Sequence, residues 1–259
     1  MSSFRSFTPD RIDALLPVSL RLHREWRSAL ETLSYGGALP PLPLALRTSL
    51  RDVAGLDLAH TLDGVDPFAS PAFGILYSRL RADQVLRAVS ARTNLTLAGT
   101  TVTAVGDGPL ADALSTSLRT LGAAVIRATD APVTALAARL DGFRVQALGE
   151  LSSRDFPVHL TLLTGEGHGI LPIDTLEGLV ADASPGGAAT AEVRTSPSSR
   201  PFVGQAGAAF LVEMPSPLPE AEVPPSSTQW RLLDALIALL LLDRHDAGDD
   251  DRFAREVTP

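Results

Sequence analysis

Cysteine is absent from the 259 residues, which excludes disulfides, thiolate metal sites and thiol nucleophiles and makes a cytoplasmic address the default expectation. Lysine is absent as well: all 22 basic residues are arginine. A Walker-type lysine, a Schiff-base lysine and a lysine general base are therefore closed to this chain. Positive charge is in deficit, with a formal net charge of -8, so nucleic acid is not an expected partner, because duplex affinity comes from clustered Lys and Arg. Long apolar runs are lacking too. The run LLDALIALLLL near the C-terminus is too short to span a bilayer and holds Asp234, so it reads as a buried or interfacial helix, and no membrane is expected as a partner. The start, MSSFRSFTPDRIDALL, has no apolar stretch followed by a small-residue cleavage site, and no signal peptide is expected. His23, His60, His159 and His245 are scattered without metal-ligand spacing, and no metal site is assigned.

What is present suffices for a folded α/β protein. The composition is 45% hydrophobic and 20% charged, close to that of an average globular chain, and the length allows a full core. Residues 9 to 34 have helical apolar spacing through Ile12, Leu15, Leu16, Leu20, Leu22, Trp26 and Leu30, with a break at Pro17. YGGALPPLP marks a loop, and helical spacing resumes over residues 82 to 91. From residue 101 the pattern sharpens: TVTAV reads as a strand, GDG as a turn, and PLADALSTSLRTL as an amphipathic helix with proline in its first turn and Gly122 after its end. AAVIRAT, APVTALAARLDG and FRVQAL continue as strand, helix and strand, giving the βαβαβ order of a mononucleotide-binding half. VHLTLLTG is expected as a fourth strand, TLEGLV as a turn of helix and AAFLVEMP as a late strand. ASPGGAATAEVRTSPSSRP reads as a long surface loop, and the acidic tail RHDAGDDDRFAREVTP as a solvated, partly disordered end. The expected class is a Rossmann-like, doubly wound, mostly parallel sheet over residues 92 to 225. A mainly helical region, 1 to 91, precedes it, and a C-terminal helix with its tail, 226 to 259, follows.

In a dinucleotide fingerprint the first glycine makes the tight turn, the second lets the backbone approach the pyrophosphate, and a small third residue lets helix and strand pack. Gly106, Gly108 and Ala111 fill those places, and the helix from Pro109 aims its positive end at the phosphates. A tight turn with no ligand is the alternative reading of the same residues.

The segment GAAVIRATDAPVTALAARLDGFRVQALGEL resembles the NAD domain of the S-adenosyl-L-homocysteine hydrolases. The shared residues are Gly122, Ala123, Val125, Pro132, Ala135, Leu136, Ala137, Gly142, Phe143 and Val145, and the lead-in TNLTLAGTTVTAVGDGPLADAL is similar at the family's spacing. The resemblance implies NAD as the cofactor. It places Gly106, Asp107, Gly108, Pro109 and Leu110 at the phosphates, with Thr129 and Asp130 at the adenosine ribose. The family's ribose-binding acid falls on Thr129, a hydroxyl that cannot form the charge-assisted pair of a carboxylate, so NAD binding is expected to be weakened. Arg127 on the same strand is a candidate contact for a 2′-phosphate. LLTGEGHGIL resembles the family's segment on the nicotinamide side, with Thr164 and Gly165 matching and Glu166 and His168 replacing its asparagine and aspartate. Upstream, SPAFGILYSRL is similar to the segment that carries the substrate-ribose lysine and aspartate, but Ala72 and Gly74 stand at those positions. The resemblance thus implies a nucleotide cleft from which the hydrolase set is lost.

Three functions follow as expectations. The first is an NAD-binding relative of adenosylhomocysteinase without its hydrolase activity, a pseudoenzyme. The second is an NAD(P)-dependent oxidoreductase acting on a small molecule through His168 and Glu166 as an acid-base pair. The third is an interaction protein with an empty cleft. The helix WRLLDALIALLLLDR has more apolar surface than one face requires, so it fits either core packing or the seam of a homodimer. Asp249, Asp250 and Asp251 read as a solvated run rather than a cation site.

Overall fold

The computed structural model describes residues 8–26, 29–151, 158–169, 171–173, 176–186, 189–190, 202–221, 223–245 and 250–258. Most of the expected loop from 183 to 201 and Asp249 lie outside the described residues. The chain divides into two compact units, one of Met1–Tyr77 with Ser216–Pro259 and one of Ser78–Pro215.

In the first unit Pro17 opens a second helix, as a residue without an N–H can at a first helical position. The helices are α1 (Pro9–Leu15) and α2 (Pro17–Trp26). The helical spacing does not continue to residue 34. Glu31–Tyr35 is a strand, β1, whose burial alternates so that Glu31, Leu33 and Tyr35 face inward. After α3 (Leu44–Ala54), β2 (Leu56–His60) pairs with β1 in parallel. The next helix, α4, runs Pro71–Thr93, and its first turns, through Tyr77, belong to this unit. The long C-terminal helix of this unit spans Ser227–Arg244 and buries Leu232, Leu233, Leu236, Ile237, Leu240 and Leu241. The acidic tail is not wholly solvated: Asp250–Val257 forms a helix with Phe253 buried.

The second unit is built on strands β3 (Thr101–Val105), β4 (Ala124–Ala128), β5 (Arg144–Gln146), β6 (Leu160–Leu163), β7 (Leu171–Pro172), β8 (Gly178–Asp182), β9 (Ala189–Thr190), β10 (Val203–Ala206) and β11 (Ala209–Val212). Seven of them form a sheet of order β10-β11-β8-β6-β3-β4-β5, parallel except for the β10–β11 pair, while β7 and β9 pair separately. Residues 178–180 are therefore strand, not a turn of helix. Leu179 and Val180 sit in a parallel sheet, where a short apolar run carries no alternation to mark it. Chain order reverses between β3 and β6, so a crevice opens beyond their C-terminal ends. Val105 and Leu163, the last residues of those strands, are buried with Ala128, Val180 and Ala209 in one apolar cluster, a rigid floor beneath the loops that follow. The helices are α5 (Pro109–Thr120), which buries Leu110, Ala111, Leu114 and Leu118, and α6 (Pro132–Leu140). Burying each such leucine contributes about 1.5–3 kcal/mol. The helix Ser227–Arg244 is α7 and Asp250–Val257 is α8 in chain order.

Candidate functional site

Two loops meet at the reversal point. After β3, Gly106 has φ 140°, a conformation that L side chains rarely adopt, and a Cβ there would collide with the Thr164 hydroxyl. Thr164 is fully buried and donates its Oγ1 to the Val105 carbonyl at 2.8 Å, which ties the end of β6 to the end of β3. The Asp107 N–H donates to the Glu166 carbonyl at 3.0 Å, and the Asp107 side chain lies against Gly167, where a Cβ would clash. The loops 106–108 and 164–167 thus fit together through glycines on both sides.

The centre of this contact is a carboxylate. Pro109 is the first residue of α5 and has no N–H, so Leu110 and Ala111 carry the first two donors of the helix. Both donate to Glu166, Leu110 to Oε1 and Ala111 to Oε2, each at 2.9 Å. The next N–H, of Asp112, is already bonded to the Gly108 carbonyl at 3.2 Å. A Cβ on Gly108 would stand 2.6 Å from the Glu166 carboxyl carbon. The close backbone approach that a glycine permits is here made by Glu166. Its carboxyl is pushed above the ordinary glutamate range chiefly by burial; the two N–H bonds pull it down and the charge of Asp112 adds to the rise.

Thr129 follows β4 and donates its hydroxyl to Asp107 Oδ1 while accepting the Ala131 N–H at 2.9 Å. Asp130 accepts the Leu148 N–H at 2.9 Å. Arg127 does not reach outward toward a 2′-phosphate. It is 2% exposed and lies under the glycine turn, paired with Asp112 at 2.5 Å and bonded to the Gly106 carbonyl at 3.0 Å. His168 and Glu166 are not joined as an acid-base pair: the Gly165 N–H donates to His168 Nε2 at 3.2 Å, His168 Nδ1 lies 2.8 Å from the Gly169 carbonyl, and the Glu166 carboxylate turns to α5. No group of His, Cys, Asp and Glu among the described residues has metal-binding geometry, and no described helix is long and apolar enough to cross a membrane.

The strand order, the reversal point and the glycine turn feeding a helix define a doubly wound Rossmann-type domain. Residues 78–183, which include both loops, match the family model of the S-adenosyl-L-homocysteine hydrolase NAD binding domain, which supports NAD as the cofactor. Among solved structures the chain is similar to a dipicolinate synthase from Bacillus halodurans, with 14% identity and a TM-score of 0.49, covering 80% of this chain and 66% of that one. It is also similar to the dipicolinate synthase from Bacillus subtilis, with 15% identity and a TM-score of 0.49 over 93% of this chain and 71% of that one. A third likeness is to the transhydrogenase from Sinorhizobium meliloti, with 11% identity and a TM-score of 0.44 over 81% and 68% of the two chains. No curated protein sequence matches the chain.

The cradle fits a pyrophosphate in its backbone course but not in its free donors. The Leu110 and Ala111 N–H groups, which would meet the phosphate oxygens, are satisfied by Glu166. Sequence reasoning places Glu166 in the right loop and assigns it a different task. What it lacks is the contact across 55 and 56 residues, for which no local signal exists.

Proposed function

We propose that the chain is a Rossmann-fold NAD-binding protein of low intrinsic affinity, without adenosylhomocysteine hydrolase activity. The observation that carries this reading is the glycine turn: Gly106, Gly108 and Ala111 stand at the reversal point of the sheet, inside the stretch matching the NAD binding domain. In this reading Gly106, Asp107, Gly108, Pro109 and Leu110 line the phosphates, Thr129 and Asp130 lie at the adenosine ribose, and Thr164 and Gly165 lie toward the nicotinamide. Low affinity follows from Glu166 on the helix donors and from Thr129, whose hydroxyl is spent on Asp107. Loss of hydrolysis follows from Ala72 and Gly74, which supply neither acid nor base. The burial of α7 within its own unit supports core packing over a homodimer seam. The lack of cysteine accords with a cytoplasmic setting.

Calorimetric titration with NAD and a homocysteine-release assay with adenosylhomocysteine and added NAD test the two halves. The expected result is weak, saturable NAD binding and no released homocysteine. Sustained release would overturn the claim of lost hydrolysis.

A further inference from the structure

We infer that Glu166 is an internal anion seated on the pyrophosphate-binding end of α5, and that a dinucleotide enters only when this carboxylate leaves. The inference rests on the NAD-binding reading above and adds the residue that sets the affinity. A carboxylate and a phosphate present similar pairs of oxygens to backbone donors, and a helix N-terminus favours either. Here both oxygens of Glu166 are used, one on Leu110 and one on Ala111. Pro109 has no N–H and Asp112 is bonded within the helix, so the first turn keeps no donor for a second anion. Space leads to the same result. Gly108 leaves room for one group against its backbone, and the Glu166 carboxyl carbon would be 2.6 Å from a Cβ placed there.

The seat is also built to be vacated. Glu166 is carried on a loop, partly exposed, between Gly165 and Gly167, both in the left-handed region with φ 75° and 70°. The loop can rotate at these two residues while Thr164 stays anchored to β3. Glu166 thus discriminates among ligands: one carrying a pyrophosphate, with two phosphates to offer, can outcompete a single carboxylate, whereas a nucleoside without phosphate gains nothing from the helix end.

The test is calorimetric titration of NAD and, separately, of adenosine into the full chain and into Glu166→Ala and Glu166→Gln, with far-UV circular dichroism to establish folding. Glu166→Gln keeps the side-chain volume and one acceptor, so it remains informative if the alanine variant folds poorly. Expected is a gain in NAD affinity of at least about tenfold in Glu166→Ala and a smaller gain in Glu166→Gln, with adenosine unchanged. The same gain from an undetectable wild-type baseline supports the inference equally. Equal measurable NAD affinity in all three proteins, or weaker binding in the variants, overturns the role of Glu166 and leaves the NAD reading standing. No NAD binding by any of the three folded proteins overturns both.

Discussion

Glu166 and Asp234 solve the same local problem in the two units. Each helix, α5 and α2, begins with proline, so the second and third helical residues carry the first free N–H groups. In each case one distant carboxylate takes both. Glu166 accepts from Leu110 and Ala111 at 2.9 Å, and Asp234 accepts from Val18 at 3.1 Å and Ser19 at 2.8 Å. Burial is the main cause that raises both carboxyls above their ordinary range. What differs is the support behind them. Asp234 stands in the middle of α7, flanked by the buried Leu233 and Ala235, and also accepts the Ser19 hydroxyl at 2.6 Å. Glu166 is carried on a glycine-flanked loop at the reversal point of the sheet. The same hydrogen bonds are architecture when a packed helix delivers them and exchangeable when a loop does.

The widest separation between the two is expected in stability. Asp234→Ala strips the acceptor from two N–H groups and a hydroxyl in a buried setting, at a cost on the order of 3 kcal/mol. Glu166→Ala also removes a cap, but the loop can shift and water can reach the donors, so the cost is nearer to about 1 kcal/mol. Urea denaturation of the two variants against wild type measures the difference. Equal losses would make both carboxylates architectural and erase the distinction.

Titration separates the roles of charge and shape. For a carboxyl whose folded pKa lies above its unfolded value, the folded state prefers the protonated form. Its contribution to stability is then fully present below the unfolded pKa and is lost as pH rises through the folded one. Asp234 is such a group: burial raises it, while Ser19, the Val18 N–H and Arg21 act against the rise. Wild type should therefore lose stability relative to Asp234→Asn as pH climbs from the ordinary carboxylate range toward neutrality. Denaturation midpoints of both proteins at a series of pH values check this. A difference that grows in favour of wild type with rising pH would mean that hydrogen bonding outweighs burial.

These two carboxylates also mark how far the sequence can be read. The βαβαβ run from Thr101 to Gln146 is legible because each switch from strand to helix is punctuated locally, by Gly106 and Pro109 and by Pro132. Asp234 leaves a trace as the lone charge in an apolar run. Glu31–Tyr35 reads as helix because five residues with Leu33 and Tyr35 inward are too short for period two to outweigh the preceding helical spacing. The strand Gly178–Asp182 escapes for the opposite reason, having no alternation at all. Glu166 falls in the right loop from the resemblance alone, but its seat on α5 is a tertiary contact that no window of sequence contains. Arg127 looks available on a strand and is instead the buried partner of Asp112, since which side of a strand faces a neighbouring helix is settled only by packing.

The smallest expected effect isolates the donor that neither carboxylate uses. Pro109→Ala gives α5 an N–H at its first helical position, where Glu166 already engages the next two with both of its oxygens. The new donor is left for a ligand phosphate, and one backbone hydrogen bond of net worth ~0.6 kcal/mol should tighten NAD by about threefold without removing Glu166. Freeing the unfolded chain at a former proline should at the same time cost about 0.5 kcal/mol of stability. Pro17→Ala is the matched control: it adds the same donor at the start of α2, beside Asp234, and should show the stability cost with no change toward NAD. If Pro109→Ala leaves NAD affinity unchanged while Glu166→Ala raises it, the dinucleotide enters past the second and third residues of α5 and does not face its first. If both proline variants alter NAD binding alike, the effect is not local to α5, and the contrast between a loop-borne and a helix-borne carboxylate would have to be drawn from stability alone.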